Sequence, residues 1–341
     1  MKQIKTALVG LGRIGFQYHL PHLLEHPGFS LCAVVDIDPA RRAEVNAHGY
    51  AELSEMLRAE QPELVVIASP THLHEEHAIS CLRAGADVFL DKPMAKDLAS
   101  AERIAAVVHE TGRKLMVYQP HRAFPEVAVL RGVLERGVLG ELYMVKRCVS
   151  NYLRRNDWQA FYQYGGGMLN NYGAHYIDQL LYLTGAQVTR LRCHLEKIAS
   201  LGDADDVVKL VLETDRGITL DLDINMACAY PMPQWMVLGT YGSAVYDASA
   251  SVFRLKYYDP AKLAPLVASE TLAAANRSYQ SGEVIPWIEE EVPVTPELAV
   301  DFYEKCYAYF KRGESLFVPL PETLGVMRLI DRCHQDAKKD A

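Results

Sequence analysis

The sequence lacks several features that would have directed the reading elsewhere. It has no basic excess: 35 Lys and Arg stand against 43 Asp and Glu, a formal net charge of -8 at pH 7. Composition therefore recommends neither a nucleic acid nor an anionic membrane as partner. No apolar run is long enough to read as a membrane span. The seven cysteines (Cys32, Cys81, Cys148, Cys193, Cys228, Cys306, Cys333) are scattered, odd in number and without a CxxC pair. That pattern argues against a disulfide framework or a zinc ribbon and for reduced thiols. The opening MKQIKTALVG has two lysines but no signal-like apolar core with a cleavage site, and with the thiols it sets the expectation of a cytoplasmic protein. Internal repeats and low-complexity tracts are also missing. What remains is an ordered chain of 341 residues, half hydrophobic and 23% charged, long enough for two domains.

The first third alternates apolar runs with amphipathic segments. Strand-length runs are IKTALVG (4–10), LCAVVD (31–36), LVVIASP (64–70), DVFLDKP (87–93) and KLMVYQ (114–119). They show no polar alternation, as expected of strands covered by helices on both faces. Helical patterns lie between them at about 13–26, 39–48, 74–85 and 97–111. This alternation predicts a doubly wound parallel sheet, an α/β Rossmann domain over residues 1–120.

Its first turn reads GLGRIG, placing Gly10, Gly12, Arg13, Ile14 and Gly15 between a strand and a helix. Gly10 permits the tight turn, Gly12 lets a pyrophosphate approach the backbone, and Gly15 allows close helix–strand packing. Asp36 ends the second strand 21 residues after Gly15, where an acid holds the hydroxyls of an adenosine ribose. A carboxylate there favours NAD. Arg41 and Arg42, read as solvated residues early in a helix, leave NADP open. The third long strand runs into ASPTHLHEEH. Ligands sit at the carboxyl ends of such strands, which assigns Ser69, Pro70, Thr71 and His74 to the cofactor crevice. His72, His74 and His77 resemble a metal cluster but lack a matched fourth ligand, so no metal is expected. The next strand ends in Asp91-Lys92-Pro93, directing Lys92 into the same crevice, with the peptide before Pro93 a candidate for the cis form.

Farther on, GGGMLNNYGAHYIDQ (165–179) runs three glycines into a helix expected from about 168 to 184. Asn171, His175 and Asp178 stand at i, i+4 and i+7 and so on one stripe, opposite Ile177, Leu180, Leu181 and Tyr182. Oxidation of a secondary alcohol needs a base near neutral pKa, for which histidine is the natural candidate, and a lysine beside the hydroxyl can assist.

Four pieces, GLGRIG, ASPTHLH, AGADVFLDKP (84–93) and GGGMLNNYGAHYID (165–178), resemble in order and spacing the Gfo/Idh/MocA oxidoreductases, which include glucose–fructose oxidoreductase and inositol dehydrogenases. GTYGSAVYD (239–247) is similar to the family's late strand pair. The resemblance implies a second α+β domain, here 121–341, with a large open, mainly antiparallel sheet, and from that architecture a homodimer or homotetramer. Strand-like stretches at 141–151, 187–197, 207–214, 217–226, 235–239 and 243–247 agree with it. Residues 259–295 read as an irregular excursion, 296–312 and 321–337 as helices packed on the outside, and the acidic run DADD (203–206) as a solvated strand entry.

By the same resemblance Lys92 and His175 form the catalytic pair, with Asp91 beside the cofactor and Arg122 near the nicotinamide. Two positions depart from the family pattern: Asn171 stands where many members have aspartate, and Asp91 where glutamate is usual. Asparagine can orient a group or bind a hydroxyl but brings no negative charge. Arg155, Asp157 and Trp158, in the polar and aromatic stretch before the glycines, join Lys92, Asn171, His175 and Asp178 as expected substrate contacts. The implied activity is hydride transfer between NAD(P) and a sugar, inositol or related polyol. An NAD-dependent glycosidase working by transient oxidation and elimination is one alternative, and a non-catalytic NAD-binding regulator is another.

Overall fold

Strands that are apolar throughout need cover on both faces, and the first sheet receives it. In the computed structural model, which describes residues 2–268, 270 and 283–339, β1 (Ile4–Val9), β2 (Phe29–Val35), β3 (His48–Tyr50), β4 (Leu64–Ile67), β5 (Asp87–Asp91) and β6 (Leu115–Tyr118) pair in the order β3-β2-β1-β4-β5-β6, all parallel. Five helices accompany them: α1 (Leu20–Glu25), α2 (Pro39–Ala43), α3 (Leu53–Glu60), α4 (His74–Arg83) and α5 (Leu98–Thr111). Alternate residues of each strand enter separate cores. Val9, Val65, Ile67, Val88 and Leu90 pack with Ala78, Cys81, Leu82 and Ile104. Leu8, Val34, Leu64, Val66, Phe89 and Met116 pack on the opposite face with Leu20 and Leu23. The strand order reverses between β1 and β4, which opens a crevice at their carboxyl ends.

The second sheet has the order β14-β13-β12-β11-β7-β10-β9-β8. Its strands are β7 (Leu142–Ser150), β8 (Val188–Glu196), β9 (Val207–Thr214), β10 (Thr219–Asn225), β11 (Trp235–Gly239), β12 (Gly242–Asp247), β13 (Val252–Tyr257) and β14 (Ile288–Pro293). Every pairing is antiparallel except β7 with β10. Burial alternates along β9 and β10, with Val208, Leu210, Leu212, Leu220, Leu222 and Ile224 turned inward. They meet α6 (Pro125–Glu135) and α7 (Ala174–Thr184), leaving the other face open.

Three features depart from the sequence reading. β3, α3, β13 and β14 were not foreseen. β14 lies inside the stretch read as irregular, part of which (269 and 271–282) falls outside the described residues. Its sequence IEEEVP has no apolar alternation because it is an edge strand whose glutamates face water. The late helices α8 (Phe302–Tyr307) and α9 (Leu320–Ala337) also do more than cover the outside. Phe302, Tyr303, Cys306 and Tyr307 complete a core of the first sheet, while α9 sends Met327 to the first sheet and Val326, Ile330 and Cys333 to the second.

DADD, finally, is solvated only at Asp203: Asp205 and Asp206 are buried. The Asp206 carboxylate accepts the backbone N–H groups of Ile198, Ala199 and Ser200 at 2.7, 2.8 and 2.6 Å. The Asp205 carboxylate accepts the Leu169 N–H at 2.8 Å and the Tyr162 hydroxyl at 2.9 Å, anchoring the turn that leads into α7. Asp206→Ala leaves three amides without their acceptor and is expected to lower unfolding stability by roughly 3 kcal/mol in urea titrations. A change below about 0.5 kcal/mol, the size of an ordinary surface substitution, would show that water replaces the carboxylate.

Candidate active site

The first sheet and the loops and helix of the second domain form the walls of one cleft of 1510 Å³ that begins at the β1/β4 crevice. On the first wall the GLGRIG turn is as tight as its glycines require. A Cβ on Gly15 would sit 1.8 Å from the Gly10 carbonyl oxygen, which fixes glycine there. A Cβ on Gly12 would meet nothing within 4 Å, so the backbone is open to an approaching phosphate. Asp36 closes this end: one carboxylate oxygen accepts the Leu11 N–H at 2.7 Å and the other the Asp38 N–H at 2.9 Å. Arg41 Nη1 lies 3.7 Å from the same carboxylate, and Arg42 donates to the Asp36 carbonyl. Both arginines thus reach Asp36, Arg41 while remaining exposed to solvent. Gly10, Gly12, Arg13, Ile14, Asp36, Ser69, Pro70, Thr71, His74, Asp91 and Lys92 all line the cleft, a fit to a dinucleotide laid across the strand ends.

The histidines after β4 separate by role. The ring of His74 lies between the Ser69 and Pro93 carbonyls, 2.9 Å from each, and when neutral donates its single N–H to one of them. Its burial pulls its pKa down to about 4. His77 Nδ1 lies 3.0 Å from the Ser69 hydroxyl. The Lys92–Pro93 peptide is cis. Lys92 Nζ reaches across the cleft and donates to Asn171 Oδ1 at 2.6 Å. Burial lowers the Lys92 ammonium to about 8, against the opposing pull of Asp91, with Arg13 and Arg155 adding to the fall. Asp91 is itself pushed up to about 6 by burial.

The second wall is the helix that starts with a π-helical turn at Leu169–Gly173 and continues as α7. Of the glycines before it, Gly165 faces Thr71 and Lys96 of the first wall, while Gly166 and Gly167 pack against this wall's own loops. Gly167 has φ +100°, and a Cβ there would strike the Asp205 carboxylate at 2.4 Å. His175 is buried and its Nδ1 lies 3.0 Å from Gln119 Oε1. Gln119 Nε2 donates to the Ala174 carbonyl at 3.4 Å, so its oxygen faces the ring. Nδ1 of His175 therefore carries the proton and Nε2 keeps a free lone pair. Burial, then the charges of Lys92 and His121, holds the His175 pKa well below 6.5.

Asn171 bridges outward: its Nδ2 donates to Gln159 Oε1 at 3.3 Å, the same oxygen that takes an N–H from Arg155. Arg155 pairs with Asp157 at 2.9 Å, and Trp158 sits half exposed at the mouth. All three line the cleft.

Two expected residues are placed elsewhere. Arg122 and Asp178 face each other rather than cofactor and substrate, in a buried pair with Arg122 Nε 3.0 Å from Asp178 Oδ2. Arg122 also donates to the Phe317 carbonyl at 3.1 Å and reaches Glu322 at 2.8 Å. Asn171 and His175 reach the cleft, and Asp178, three residues beyond His175 on α7 and so about 60° round the helix from it, does not. Sequence reasoning in turn missed Gln119, His121 and Gln159. The first two stand in YQPHRA just past β6, where the rule about strand ends points to them, but an isolated glutamine and histidine carried no spacing pattern.

Comparison with known proteins agrees with this architecture. Residues 4–119 match the Gfo/Idh/MocA oxidoreductase family's NAD-binding Rossmann fold, and residues 127–245 match the Gfo/Idh/MocA C-terminal domain. The chain belongs to that family, and its first domain is an NAD-binding domain. A D-glucoside 3-dehydrogenase of Escherichia coli is 29% identical over 194 residues, 53% of this chain and 54% of that one. An inositol 2-dehydrogenase of Pseudarthrobacter chlorophenolicus is 26% identical over 230 residues, 65% and 66% of the two chains. The WlbA dehydrogenase of Bordetella pertussis, solved with NADH and UDP-GlcNAcA, shares the fold with a TM-score of 0.78 at 21% identity, covering 100% of this chain and 98% of that one.

The Lys92–Asn171 contact makes a measurable prediction. Asn171→Asp places a carboxylate against the ammonium and should raise the Lys92 pKa from about 8 by roughly one to three units, read by NMR on isotope-labelled lysine. An unchanged titration would mean that the two side chains do not meet in solution.

Proposed function

We propose that this member of the Gfo/Idh/MocA family oxidises a secondary hydroxyl of a sugar, inositol or related polyol with NAD, reversibly, using His175 as general base and Lys92 as its assistant. The observation that carries the reading is the convergence of these two side chains, from opposite walls, on the cleft that also holds the dinucleotide-binding turn. Bound NAD supplies the hydride acceptor. The residues supply the rest. His175 Nε2 takes the hydroxyl proton while Gln119 fixes the tautomer from the other side of the ring. A depressed pKa keeps the imidazole neutral, which is the form that accepts a proton. Lys92 holds the oxygen from which the proton leaves, and Asn171 fixes the ammonium in place. With Asn171 neutral, neither Lys92 nor His175 gains the negative partner that an aspartate would bring.

Asp36, held by two backbone amides, supports NAD over NADP, although Arg41 at the same edge leaves room for a phosphate. The polar and aromatic rim of Arg155, Asp157 and Trp158 suits a hydroxyl-rich substrate, in keeping with the glucoside and inositol relatives. The open face of the second sheet supports a homodimer or homotetramer. Among the described residues no helix is long and apolar enough to cross a membrane, and we place the protein in the cytoplasm on its free cysteines.

The test is NADH formation against a panel of sugars, glycosides, inositols and sugar acids. Lys92→Ala and His175→Ala should each lower kcat/KM by roughly a hundredfold or more; full activity in both sinks the mechanism. Protonation of His175 removes the base, so activity is lost as pH falls through its folded pKa. The acid limb of kcat/KM should therefore lie below pH 6.5. Glycoside cleavage without net NADH would instead favour the transient-oxidation glycosidase, and NAD binding with no turnover of any panel member would favour the regulator.

A further inference from the structure

One histidine at the cleft has no part in the mechanism above. His121 lies face to face with His175, ring centroids 3.8 Å apart and planes 6° from parallel. Its other face is covered by Phe124, with centroids 4.4 Å apart. Its carbonyl accepts the Gln179 amide N–H at 2.6 Å. The ring is therefore clamped in position rather than loosely packed.

The two imidazoles are disposed alike toward the cleft. In each, Nδ1 is turned inward: that of His175 to Gln119, that of His121 into a buried position with no partner among the described residues. In neither does Nε2 have a protein partner among the described residues, and neither Nε2 is buried. Both rings line the cleft beside Lys92 and Asn171. Two parallel rings in van der Waals contact thus offer two unsatisfied ring nitrogens side by side. With ring centroids 3.8 Å apart, a single sugar or cyclitol ring can meet both edges at once.

We infer that His121 is a specificity-determining residue: His175 takes the reacting hydroxyl and His121 binds the hydroxyl on the adjacent carbon, so that the substrate is a vicinal diol. This rests on the proposed activity and narrows it. A neutral imidazole can donate to or accept from a hydroxyl, and burial keeps His121 neutral by lowering its pKa to about 3. The neighbouring hydroxyl satisfies a ring nitrogen that substrate binding would otherwise cut off from water, and such a loss discriminates strongly against an analogue lacking the group.

The experiment compares diol and deoxy substrates in the wild type and in His121→Phe, which keeps an aromatic plate between Phe124 and His175 but has no ring nitrogen. Probes are D-glucose with 2-deoxy-D-glucose, methyl β-D-glucopyranoside with its monodeoxy analogues, and myo-inositol with its monodeoxy analogues, all followed by NADH formation. The wild type should prefer the diol by roughly tenfold or more in kcat/KM. In His121→Phe the ratio should collapse toward one through a higher KM for the diol. A wild type indifferent to removal of the neighbouring hydroxyl overturns the inference and leaves the dehydrogenase reading intact. A variant that slows diol and deoxy analogue equally shows that His121 only packs. Should His121→Phe fail to fold, His121→Leu takes its place, with the same collapse of the diol preference expected and an unchanged preference overturning the inference. Inactivity of the wild type on every probe counts against the dehydrogenase reading and takes this inference with it.

Discussion

The buried pair of Arg122 and Asp178 joins the two segments on which the site is built. Arg122 belongs to the stretch leaving β6, which also carries Gln119 and His121; Asp178 belongs to the helix that carries His175 and follows directly on Asn171. Guanidinium and carboxylate are each 2% exposed, and the free edges of Arg122 are taken by the Phe317 carbonyl and Glu322. A charge pair this far from water is held by its complete set of hydrogen bonds rather than by Coulomb attraction alone, and losing either partner strands the other. The Gln119–His175 contact and the His121–His175 stack both span this same junction, so their geometry is set by how it docks. Helix α9 adds a second constraint, since it enters the cores of both sheets.

Within that frame no carboxylate hydrogen-bonds the Lys92 ammonium or the His175 ring among the described residues, and Asp91 is the opposing charge that acts on Lys92. The groups that face Lys92 and His175 most closely are amides, Asn171 and Gln119, and a second imidazole. Burial is then the largest influence on both: it lowers the ammonium to about 8 and the imidazole well below its ordinary value. An aspartate at position 171 would face the ammonium directly, so its replacement by asparagine bears first on Lys92. The outward chain from Asn171 through Gln159 to Arg155 and Asp157 links this centre to the polar rim at the mouth.

Much of the first domain was legible because its physics is local. A strand buried on both faces must be apolar throughout, and a turn whose Cβ positions are blocked must be glycine; both leave marks in consecutive residues. β14 left none, since an edge strand pairs through its backbone and tolerates IEEEVP on its side chains. DADD misled for a related reason. Three acidic residues look solvated until backbone amides, from Leu169 and from the turn at Ile198–Ser200, converge on Asp205 and Asp206 and take the place of water.

The sequence by itself determined the doubly wound first domain, the dinucleotide turn with Asp36 behind it, and the presence of Lys92 and His175 in one crevice. The first two follow from short-range spacing on regular elements, and the third from the resemblance of four short motifs to the Gfo/Idh/MocA pattern. Only the tertiary structure decided who partners whom. Lys92 goes to Asn171, His175 to Gln119 and His121, and Asp178 to Arg122. These pairs lie 54 to 79 positions apart and meet only in the folded chain. Periodicity describes one helix face, whereas partner choice depends on the surface brought against it.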